Sequence, residues 1–60
     1  MWILRLPNEK YKWSFIDGYN IFNASVFLSN KEDVRKYKLI DENGAVIDDN
    51  AEKYLIEEVL

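Results

Sequence analysis

The chain contains no cysteine and no histidine, which excludes disulfides, thiol nucleophiles, imidazole bases and the commonest zinc ligands together. Glycine stands only at Gly18 and Gly44, so no glycine-rich phosphate loop can be built. Proline occurs once, at Pro7, and no linker, repeat or low-complexity tract is visible. The longest apolar run is Met1-Trp2-Ile3-Leu4, against the roughly 20 residues of a membrane span. It also lacks the basic flank and small-residue cleavage site of a signal peptide. Without such a signal the acceptor-like Asn23-Ala24-Ser25 carries no weight for glycosylation. A cytoplasmic protein that does not engage membranes is expected.

What is present is aromatic surface. Nine of 60 residues are Phe, Trp or Tyr, and each can bury about 150–250 Å². A chain this short is one domain, residues 1–60, whose core rarely supplies more than roughly 3–5 kcal/mol. Large rings compensate for size, and their next use is an aromatic interface. The net charge of −3 hides an asymmetry. Residues 1–40 carry seven bases against four acids, whereas residues 41–60 carry seven acids against Lys53 alone. Such a bipolar chain can pair with itself, which predicts a homodimer, or present acid to a basic partner.

Trp2, Leu4 and Leu6 alternate with Ile3 and Arg5, a strand pattern, and Pro7-Asn8-Glu9-Lys10 reads as a turn. Tyr11, Trp13 and Phe15 then share one face, and together these segments predict an antiparallel hairpin. After a break at residues 17–20, Phe22, Ala24, Val26 and Leu28 predict one strand over residues 21–28. Ser29 followed by Glu32 resembles a capping box that opens a helical turn over residues 30–34. Asn43-Gly44 marks a hairpin between residues 37 and 47. Asp49 with Glu52 predicts a cap for a terminal helix whose stripe is Ala51, Tyr54, Leu55 and Val59. The expected fold is α+β: a small antiparallel sheet of four or five strands with one C-terminal helix packed on a face.

Carboxylate pairs are the only catalytic raw material in quantity. Asp41-Glu42 and Asp48-Asp49 flank the last hairpin strand, and paired carboxylates can hydrolyse glycosides. Such a site needs a cleft of about 300–1,000 Å³, which so short a chain is not expected to furnish. The plainer reading gives Asp41 and Asn43 to the turn and Asp49 to a helix cap. Asp41-x-Asn43-Gly44 echoes a calcium loop, but Asn50 stands where the bidentate glutamate belongs and the first ligand is missing. No metal and no cofactor is expected, and no enzymatic activity.

The function these features predict is that of a small non-enzymatic protein-binding module. It would act as an inhibitor or regulator by occupying a partner macromolecule, of phage or mobile-element type by analogy of size and composition alone. Glu42, Asp48, Asp49, Glu52, Glu57 and Glu58 are the candidate electrostatic contacts. Glu57 and Glu58 would oppose the dipole at the C-terminus of the expected helix, a local conflict that points away from stability. Tyr19, Phe27 and Tyr54 are the candidate aromatic anchors. The alternative is a β-domain that stacks single-stranded nucleic acid on Arg5, Lys10, Tyr11, Lys12 and Trp13. The net negative charge works against it. A structural subunit of a larger assembly is a third reading.

Overall fold

In a computed structural model, which describes residues 1–17 and 20–58, the chain forms seven short strands in two antiparallel sheets. The strands are β1 (Trp2–Leu4), β2 (Lys12–Phe15), β3 (Ile21–Phe22), β4 (Val26–Leu28), β5 (Tyr37–Ile40), β6 (Val46–Asp48) and β7 (Leu55–Glu57). Two 3-10 segments, η1 (Lys31–Lys36) and η2 (Ala51–Tyr54), precede β5 and β7. One sheet has the order β4-β1-β7 and the other β3-β2-β5-β6.

Each sheet is built around one fully buried side chain on a central strand. Leu4 stands in register between Val26 and Leu55, and Trp13 between Phe22 and Leu39. Both are 0% exposed. The alternation of β1 and β2 sends these residues inward, where Leu28, Val34, Tyr37, Leu39 and Ala51 complete the core. The rings of Phe15, Phe22 and Tyr37 meet edge-on or tilted at 5.0–5.9 Å between centroids, and Trp13 meets Tyr54 at 5.5 Å. Such contacts add about 0.5–1.5 kcal/mol each beyond their area. Among the described aromatics, all but Phe27 lie in this core or against it.

The sheets are tied at their rims. β3 and β4 are edge strands of different sheets, separated only by residues 23–25, and β6 leads through η2 to β7 in the same way. η1 touches β4 and β5 while η2 touches β1 and β5, so both 3-10 segments span the two sheets. They contribute Val34 and Ala51 to the core.

Several sequence expectations are corrected by this architecture. The α+β class gives way to an essentially all-β fold, because the C-terminal helix is absent. Only Ala51–Tyr54 coils, in one 3-10 turn, and Leu55–Glu57 pairs with β1. A helix of about three turns is marginal in water, whereas an added strand satisfies its backbone against Trp2–Leu4 and buries Leu55 beside Leu4. Glu57 and Glu58 consequently oppose no helix dipole. Val59 of the expected stripe lies outside the described residues.

The first hairpin is also absent: β1 and β2 belong to different sheets. Both edges of β1 are taken, by β4 and by β7, so no ladder position is left for β2. The Pro7–Lys10 turn exists, with the Tyr11 N–H donating to the Asn8 carbonyl at 3.0 Å, but it carries the chain to the other sheet. The strand expected over residues 21–28 breaks at residues 23–25, where the Ser25 hydroxyl accepts the Leu6 N–H at 3.1 Å. This is a corner at which the chain changes sheet.

Both expected caps are displaced by one residue. Asn30 occupies the N-cap of η1 without a side-chain bond, so the Ser29 box does not form. At η2 the cap is Asn50, whose side chain accepts the Glu52 N–H at 3.2 Å, rather than Asp49. The Asn-Gly hairpin forms as the sequence predicts. Gly44 adopts φ 86°, the left-handed region where a side chain is strained. The Asp41 carboxylate accepts the N–H groups of Asn43 and Ala45 at 2.8 and 2.9 Å.

Candidate interaction surface

The outer face of the three-stranded sheet carries an apolar row. Register places Phe27 and Ile56 on either side of Ile3, and directly opposed residues of an antiparallel sheet project to the same side. Phe27 is 65% exposed and Ile56 43%. Along β1, Arg5 follows Ile3 by two positions and Met1, 57% exposed, precedes it by two. A groove of about 330 Å³ runs along this face, lined by Ile3, Arg5, Ser25, Ile56, Glu57 and Glu58. It continues into a second of about 210 Å³ that shares Arg5 and Ile56 and reaches Pro7, Lys53 and Tyr54.

Of the expected partner contacts, the structure gathers Phe27 and Glu58 on this face, while Glu57, which borders the groove, stands opposite Trp2 and projects to the other side. Tyr54 lies at its margin, half-buried, with its hydroxyl donating to Asp48 at 3.3 Å and its ring against Trp13. Asp48 is turned to local structure: it accepts the Asn50 N–H at 2.9 Å and the Lys53 ammonium at 3.2 Å. The Asn50 N–H is the main cause holding its carboxyl below the usual carboxylate range. Desolvation opposes that shift, and Lys53 and Tyr54 add to it. Glu52 pairs with Arg35 at 3.9 Å across η1 and η2. Glu42 and Asp49 are exposed, Glu42 in the β5–β6 turn and Asp49 just after β6. Tyr19 lies outside the described residues. The acidic residues therefore do not form one array, because β7 and β6 are separated and each joins a different sheet.

The residues of the nucleic-acid alternative are dispersed. Trp13 is wholly buried and has no ring face to offer a base, and Tyr11 packs half-buried on the core. Lys12 alternates with Trp13 and so points away from it, Lys10 sits in the turn, and Arg5 belongs to the other sheet's outer face.

Ile3 and Ile56 were missed as site residues, although the alternation of Trp2 and Leu4 with Ile3 already placed Ile3 on the opposite face. Ile56 was hidden by reading its segment as a helix. A groove of about 420 Å³, larger than either on the sheet face, is lined by Phe15, Ile16, Asp17, Arg35 and Lys36. Its volume overlaps the range for small-molecule clefts. The Ser25 hydroxyl, which borders the sheet-face groove, already accepts the Leu6 N–H. Among the described residues no group of three acids is placed to hold a metal ion. The chain matches no protein-family model, no curated protein and no solved structure.

Proposed function

We propose that the protein is a small non-enzymatic interaction module, an inhibitor or regulator that occupies a partner protein through the outer face of its three-stranded sheet. The observation that carries this reading is Phe27. Every other described aromatic ring is in or against the core, while this one is 65% exposed beside Ile3 and Ile56. An aromatic anchor with aliphatic neighbours and a charged margin of Arg5 and Glu58 has the anatomy of an interface hot spot with a polar rim. Ring exposure of this kind contributes nothing to the core, so Phe27→Ser leaves the fold in place.

The test is affinity capture from cells of the native host, with wild type and Phe27→Ser immobilised side by side after circular dichroism has shown matching folds. The expected result is a protein retained by the wild type and depleted at least about tenfold by Phe27→Ser, the scale of a hot-spot truncation. Nothing retained above background, or equal retention by both, overturns the reading.

A further inference from the structure

We infer that the Asn43–Gly44 bond is a site of spontaneous covalent modification by water, and that Asp41 is the positioning residue that sets its rate. The chemistry is attack of the Gly44 nitrogen on the side-chain amide of Asn43. Hydroxide removes the Gly44 amide proton, and the nitrogen's electron pair bonds to Cγ of Asn43. The C–N bond of the side-chain amide then breaks, and ammonia leaves with a proton taken from water. The product is a five-membered cyclic imide, which a second water opens at either carbonyl. Addition at Cγ gives aspartate. Addition at the main-chain carbon gives isoaspartate, in which the backbone runs through Cβ.

Nothing around the bond obstructs this reaction. Asn43 and Gly44 are both exposed. Gly44 has no side chain to shield its nitrogen, and nothing lies within 4 Å of the place a Cβ would occupy. The obstacle is conformational and comes from the hairpin. The Gly44 N–H donates to the Asp41 carbonyl at 3.0 Å, so the proton that must leave is held. Oδ1 of Asp41 accepts the N–H groups of Asn43 and Ala45, one on each side of Gly44. Glu42 and Asn43 keep negative φ while Gly44 stands at 86°, the type I turn and left-handed residue of a three-residue hairpin loop. Such a turn holds ψ of Asn43 at about 0°, with the Gly44 nitrogen eclipsing the Asn43 nitrogen. Ring closure requires it to eclipse Cβ instead. The bond therefore reacts only when the turn opens, at the open-chain rate scaled by the fraction of time spent open. The two bonds to the Asp41 carboxylate lower that fraction.

Isoaspartate at this position lengthens the backbone inside the loop that joins β5 to β6, and it places a new negative charge beside Asp41 and Glu42. β6 has β5 as its one neighbour in the sheet, so it is the strand that such a change releases. The sheet that carries Phe27 is the other one. Modification thus alters one half of the fold and leaves the docking face in place.

Purified protein held in mildly alkaline buffer, sampled over time by peptide mass spectrometry and isoaspartate-specific enzymatic methylation, tests this. Folded wild type should convert at Asn43 at least about tenfold more slowly than the same chain in urea. Asp41→Ala should speed conversion of the folded protein about tenfold, the ratio that two such bonds supply, and Asp41→Asn, which keeps a neutral acceptor, about threefold. In urea the three chains should react within about twofold of one another. Val26→Ala weakens the other sheet and should leave the folded rate within about twofold of wild type, because the opening is local. Circular dichroism establishes folding before incubation, and should Asp41→Ala be unfolded, Asp41→Asn against Val26→Ala carries the comparison. No conversion in urea, equal rates for folded and unfolded wild type, Asp41 variants at the wild-type rate, or equal acceleration by Val26→Ala overturns the inference.

Discussion

Replacing Asp41 by alanine tests whether its carboxylate belongs to the hairpin or to chemistry. One oxygen, Oδ1, accepts the N–H groups of Asn43 and Ala45 at 2.8 and 2.9 Å, inside a turn closed by the Asp41 N–H to Ala45 carbonyl bond at 2.9 Å. Each such bond nets about 0.5–1.5 kcal/mol, more for a charged acceptor, but water can replace both at this accessible site. The pair together contributes about 1.5–2 kcal/mol. A chain of this length has only about 3–9 kcal/mol in total, so Asp41→Ala should lower Tm by about 10 °C. Asp41→Asn keeps a neutral acceptor and should lose about half as much. Gly44→Ala forces a side chain into φ 86°, costing roughly 1–2 kcal/mol, and the double variant should lose less than the sum because both act on one turn. Thermal melts by circular dichroism and urea titrations by tryptophan fluorescence measure these differences. An Asp41→Ala protein within roughly 0.3 kcal/mol of wild type would refute the assignment of the carboxylate to the turn.

Leu4→Ala removes a side chain with 0% exposure at the centre of one sheet, a loss of about 2–5 kcal/mol that leaves little or no folded protein by urea titration. Phe27→Ser on the same sheet's outer face should cost less than about 1 kcal/mol, and equal losses would mean that the inner and outer faces are misassigned. Asp48 titrates below the usual carboxylate range when folded, chiefly because it accepts the Asn50 N–H. Its stabilising contribution is therefore complete above the ordinary carboxylate value of 3.8 and fades as pH falls through its lowered one. Tm should drop on acidification below about pH 4, and Asp48→Asn should drop less steeply. Tyr37 is shifted upward, first by burial and then by Asp33, against the smaller influence of Lys36. Its neutral form stabilises the fold below the ordinary value of 10.0 and the benefit disappears as pH rises through the raised one, so Tyr37→Phe should flatten the alkaline limb of the melting profile.

Local signals were legible where one residue's chemistry decides them. Gly44 with Asp41 fixed a hairpin, Pro7 and Asn8 fixed a turn, and period-two alternation around Leu4 and Trp13 placed both in the interior. Pairing was not legible, because alternation says which way a side chain points and nothing about which strand lies beside it. β1 meets β4 and β7, which are distant in sequence, rather than the adjacent β2. The terminal segment misled for a related reason. Ala51, Tyr54 and Leu55 suit a helical stripe, and only the open edge of β1, invisible locally, draws Leu55–Glu57 out into a strand. On the candidate surface, the exposed ring of Phe27 was foreseen, and its aliphatic neighbours depended on that same unreadable pairing.

Strand β1 finds both its neighbours far along the chain, at residues 26–28 and 55–57. Such distant segments must be brought together at a cost in chain entropy before any contact offsets it. Leu4 is sealed only when both have docked, so a fault introduced at either remote strand opens the same leucine to water.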